Sequence, residues 1–234
     1  MGARAKAILP LAVVIGVLSF LWTELSLNFT FHWVTVQDNI LGPGTVGVPE
    51  NFHLILPTAF ISWGLFFAAG GDNAAFGKIF IAAVFGCVAA LITMPLSFVT
   101  ADNPDFWGIA LWVGVFAFLL VAVLIAGDWY YVAGTFPCFA AVFLWWIATG
   151  LDGWAINGGG KGDAAASITN QLVPPATPDP NTIQGFGAFI GIISTPWAWV
   201  AISTFVTLVC GIILGLVSGK LAAALTPKPK TAEA

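Results

Sequence analysis

Four ionisable side chains in this chain could do chemistry by virtue of where they fall: Glu24, His32, His53 and Asp72. Glu24 lies inside an otherwise apolar run from Ile8 to about Leu27. A carboxylate at the centre of a bilayer costs about 2.5 to 3.5 kcal/mol on insertion scales, so burial there would imply function. Near the end of a helix the same side chain can instead reach back to water. His32 and His53 both belong to the segment between the first two apolar runs and could approach each other. A structural zinc site generally takes four ligands, and no second pair is spaced around these two. Asp72 occupies a short turn, as do Asp102, Asp105 and Asp128, where a carboxylate serves as a solvated turn or cap residue as readily as a translocation group. Glu24, His32 and His53 at an outer mouth, with Asp72 on the inner side, are the candidate solute-path residues.

Other chemistry finds little support. Cys87, Cys138 and Cys210 are scattered, with no Cys-x-x-Cys pair, so neither a disulfide nor a metal site is expected. No nucleotide-binding loop, nucleophile elbow, His-Glu-x-x-His or haem-attachment motif occurs. The expectation is therefore a protein that is not an enzyme and holds no metal or cofactor. A formal net charge of -4 without a basic stripe also argues against a nucleic-acid partner.

The elements that must position these residues follow from composition. With 59% apolar and 8% charged residues, and a mean hydropathy of +0.96, too little polar surface exists to coat a soluble globule of 234 residues. The expected fold class is all-α, a polytopic transmembrane helix bundle of about six spans. The apolar runs are Ile8–Leu27, Leu54–Ala69, Ile79–Phe98, Phe106–Ala126, Val132–Leu151 and Trp197–Val217. The last is separated at Pro196 from an interfacial or re-entrant piece beginning at Phe186, because one helix across both would be about 48 Å long. Arg4, Lys6, Lys78, Lys220, Lys228 and Lys230 then fall on one side and only Lys161 on the other, which predicts both termini in the cytoplasm.

Residues 1–225 form one transmembrane domain on this reading, with long outer segments at about 28–53 and 152–185 and a disordered cytoplasmic tail at 226–234. The bilayer is the obligatory partner. Tryptophans near span ends, including Trp22, Trp107, Trp129, Trp154, Trp197 and Trp199, suit an interfacial belt.

Two small-residue faces promise close helix packing: Gly211, Gly215 and Gly219 on the last span, and Ala82, Gly86 and Ala90 on the third. A spacing of four lines one side of a helix and lets a neighbouring backbone approach, either within the chain or across a homo-oligomer or membrane-partner contact. A weak internal symmetry also appears. Pro57–Asp72 and Pro137–Asp152 are of equal length and share the proline, Ala68 with Ala148, Gly70 with Gly150, and the final aspartate. Spans two and five would run in opposite directions, as an inverted three-plus-three repeat requires.

Trp63-Gly64 through Ala68-Ala69-Gly70-Gly71, then Phe76-Gly77-Lys78, Gly134-Thr135-Phe136 and Gly211 to Gly219 together carry a resemblance. The chain resembles the bacterial family of small multipass inner-membrane proteins called domain of unknown function 1097. That resemblance implies a bacterial inner membrane and brings no established chemistry, and the two long outer segments depart from the compact family pattern. The leading functional expectation is a small-solute channel or carrier. Its rival is a structural or accessory membrane subunit whose glycine faces bind a partner.

Overall fold

The computed structural model describes residues 3–30, 51–100, 107–127, 129–149 and 195–226. His32, most of both outer segments, the expected piece before Pro196 and the tail beyond Thr226 lie outside these residues. Six α-helices and no strand occur among them. They are α1 (Ala3–Asn28), α2 (Leu56–Ala68), α3 (Asn73–Val99), α4 (Trp107–Ala122), α5 (Val132–Ala148) and α6 (Trp197–Leu225), and α4 tightens into a 3-10 turn at Val123–Ala126.

Four of the six are long and apolar enough to cross a membrane: α1, α3, α4 with its 3-10 turn, and α6. The other two are shorter than the expected runs Leu54–Ala69 and Val132–Leu151, since α2 has 13 residues and α5 has 17. A crossing needs about 20 residues, so α2 covers only about two thirds of the distance as helix.

Helix boundaries follow local chemistry. α2 opens with Pro57 in its first turn, where the missing N–H costs nothing. It closes through Gly70 and Gly71, both at positive φ, whose N–H groups return to Phe67 O and Phe66 O at 3.1 and 2.9 Å. The reversal delivers Asp72 to the start of α3, where Oδ1 accepts the Ala75 N–H at 2.8 Å. This cap starts α3 six residues before the expected Ile79, so Lys78 lies on the helix instead of in the preceding turn. α6 likewise runs past Val217 to Leu225 and carries Lys220 on its last turns.

Helix directions can be read from paired residues. Ile55 and Trp63 hydrogen-bond to Thr207 and Ser218, so α2 runs parallel to α6. Gly134 lies against Ala82, and Thr135 and Cys138 against Gly86, so α5 runs parallel to α3. His53, ahead of α2, packs on Trp145 near the end of α5, making those two short helices antiparallel. The bundle thus has a His53 end and an Asp72 end.

α2 lies along α6 and α5 along α3, with α3 and α6 packed together between them. α1 rests on α6 and α4 on α3 at the periphery. Burial fits this order: 50% of the apolar window is buried in α3 and α6, against 11% in α1 and 6% in α4. Trp22 departs from the expected interfacial belt. It is buried, and its indole N–H donates to Leu56 O at 3.2 Å, joining α1 to the start of α2.

Candidate functional site

The chain enters α2 through residues 51–55, which are not helical, and Ile55 is extended at φ -97° and ψ 102°. Backbone of this kind cannot satisfy its own N–H groups, so inside an apolar bundle it needs side-chain partners. Hydroxyls supply them. The N–H of His53 donates to Ser203 Oγ at 3.1 Å, that of Leu54 to Thr30 Oγ1 at 3.2 Å, and that of Ile55 to Thr207 Oγ1 at 3.2 Å. Thr30 also donates to Leu54 O at 2.8 Å, and Thr207 to Ser203 O at 2.7 Å, so each of these two hydroxyls both donates and accepts.

The pairing of Ile55 with Thr207 places the start of α2 ten residues beyond the start of α6 at Trp197. At 1.5 Å per residue, that is about 15 Å down the bundle. The N-terminus of α2, with its positive dipole end, therefore sits well below the level at which α6 begins.

His53 is 2% exposed, and its ring meets Trp145 edge-on at 5.7 Å. Nδ1 has no hydrogen-bond partner among the described residues. The same holds for the buried hydroxyls of Thr58 in the first turn of α2, Thr204 beside Ser203 on α6, and Thr195 just ahead of α6. Buried polar atoms are nearly always paired, so His53 Nδ1 and the hydroxyls of Thr58 and Thr204, near the start of α2, mark a place for a ligand or water, whereas Thr195 stands twelve residues before Thr207, about 18 Å away along the bundle.

α5 begins in a comparable way from the opposite end. Gly134, its third residue, faces Ala82, nine residues past the start of α3. Here aromatic side chains fill the space ahead of the helix: Phe85 meets Tyr130 at 5.2 Å and Trp129 at 5.8 Å. Close seams hold both short helices. A Cβ on Gly211 would overlap Ala59 O and Ser62 Oγ, and one on Gly215 would come within 2.6 Å of the Phe66 ring. On the other side, a Cβ on Gly86 would lie 2.7 Å from the Phe139 backbone nitrogen, and Ala82 and Ala90 are fully buried. Gly211, Gly215 and Gly86 thus form seams within the chain. Gly219 is looser, its nearest neighbour being Gly71 O at 3.9 Å.

The residues singled out from the sequence do not converge. His53 reaches the site but is buried within it instead of lining a mouth. Glu24 is exposed on α1 and accepts a hydrogen bond from Asn28 Nδ2 at 3.0 Å. Asp72 is at the opposite end, capping α3. Among the described residues no three His, Cys, Asp or Glu side chains gather. Thr58, Ser203, Thr204 and Thr207 went unnoticed in the sequence. The signal was present, because Ser203, Thr204 and Thr207 are hydroxyls on adjoining faces of one long apolar helix.

A cavity of about 670 Å³ lies between α2, α4 and α5, lined by apolar side chains such as Ile61, Val113, Phe139 and Phe143. Such a surface suits lipid tails and offers a polar solute nothing to bind.

A family model described as "Protein of unknown function (DUF1097)" matches residues 39–223. No curated protein and no solved structure matches the chain.

Proposed function

The chain belongs to the DUF1097 family, and from that footing we propose that it is a multipass membrane protein that carries or conducts a small solute through the site at the start of α2. One observation carries the reading: unwound backbone enters the bundle at residues 51–55, held by hydroxyls, beside unpaired buried polar atoms. Non-helical backbone at depth in a bundle is tolerated where it is buried in protein or lines a cavity, and interrupted helices of this kind form the binding sites of many transporters.

An inverted three-plus-three repeat supports the same reading. Exchanging α1 with α4, α2 with α5 and α3 with α6 turns each observed helix pairing into another observed one, including α2–α6 into α5–α3 and α1–α6 into α4–α3. The two glycine seams exchange in the same way. Aligning Pro57 with Pro137 sets His53 against Ala133, which is already inside α5. The halves therefore differ where it matters, unwound and polar in the first, helical and aromatic in the second.

The six basic residues grouped on one side support an orientation with both termini and the Asp72 end in the cytoplasm. The reading sets the protein in a bacterial inner membrane with the His53 end facing out.

Purified protein in liposomes tests the proposal through flux of a broad panel of small solutes against empty vesicles. Flux above background that falls in His53→Ala without loss of assembly is expected. No flux across the panel would contradict it and favour a non-transporting accessory subunit.

A further inference from the structure

Resting on the reading of the His53 site as a solute site, we infer that its solute is a small uncharged molecule with both hydrogen-bond donors and an oxygen acceptor, of the amide or polyol class, and not an ion. The unpaired groups near the start of α2 include the two hydroxyls of Thr58 and Thr204 and the imidazole nitrogen of His53. Each hydroxyl can donate one hydrogen bond and accept two, so together they match a solute that does both.

An anion would need a compensating cation. No Lys or Arg among the residues whose side chains are described is buried, and a charged imidazole at His53 would itself have to be held out of water. An unpaired charge in such a place is far costlier than a neutral polar group. The dipole end of α2 supplies only a partial positive charge, enough to favour a carbonyl or hydroxyl oxygen.

A cation would need carboxylates or a ring of free carbonyl oxygens. No Asp or Glu is buried among the described residues. Four carbonyls near the site already accept side-chain hydrogen bonds: Leu54 O from Thr30, Leu56 O from Trp22, Ser203 O from Thr207 and Leu208 O from Ser62. A metal ion would have to compete with the chain's own donors for these oxygens.

The test is permeation of liposomes holding the full chain, with urea, acetamide and glycerol as neutral probes and potassium and chloride as ionic ones. Neutral flux should exceed empty vesicles while ionic flux does not. Thr204→Val should lower the neutral flux about tenfold, the equivalent of one lost hydrogen bond, and Thr204→Ser should restore it. Potassium or chloride crossing as fast as the neutral probes would overturn the inference while leaving transport standing. Neutral flux unchanged in Thr204→Val, Thr58→Val and His53→Gln, each correctly assembled, would also overturn it. Flux of neither class would overturn both this inference and the proposal on which it rests.

Discussion

The Ile55 N–H meets the Thr207 hydroxyl at 3.2 Å, joining residues 152 apart in sequence and fixing how deeply α2 is set into the bundle. Thr207→Val keeps the shape of the side chain but removes the acceptor. A buried N–H left without a partner costs about 1 to 3 kcal/mol. Thr207→Val should therefore lower thermal stability in detergent, and Thr207→Ser should keep most of it. Equal melting of the valine and serine variants would show that the bond does not hold the segment.

The glycines of α6 should rank by what their missing side chains would meet. Gly211→Ala would drive a methyl group into the Ala59 backbone, whereas Gly219→Ala has room. Overpacking typically costs about 1 to 3 kcal/mol, so the first variant should be destabilised by roughly that amount and the second by little. Gly215→Leu should likewise lose more stability than Leu216→Ala. Melting curves that placed Gly219→Ala beside Gly211→Ala would refute the intramolecular seam.

How far the sequence could be read follows the range of the interactions. All six helices were visible as apolar runs, and the close-packing role of Gly86, Gly211 and Gly215 was visible as a spacing of four. The unwound entry to α2 was not. Leu54 and Ile55 are as apolar as the helix that follows, and they stay unwound because hydroxyls of Thr30, just past α1, and Thr207, on α6, hold their N–H groups. Only the folded chain brings those partners together. The ionisable residues misled for a related reason: Asp72 is explained by a cap three residues away, while the site around His53 is built mainly from uncharged hydroxyls.

Glu24 should matter little. Its carboxylate is exposed on α1, where an amide can occupy the same place beside Asn28. Glu24→Gln should shift stability by no more than about 0.5 kcal/mol and leave flux and its pH dependence unchanged. A marked change in flux from a well-assembled variant would bring α1 into the path.

The central claim is that a solute reaches the buried polar atoms at the start of α2. Thr204→Cys, in a chain whose Cys87, Cys138 and Cys210 are replaced by alanine, tests it most directly when treated with a small water-soluble thiol reagent from the His53 end. The account predicts that the thiol is modified, that permeating solute slows the modification, and that flux stops once it is complete. A thiol that stays unmodified while solute flows, or flux undiminished after full modification, would contradict it.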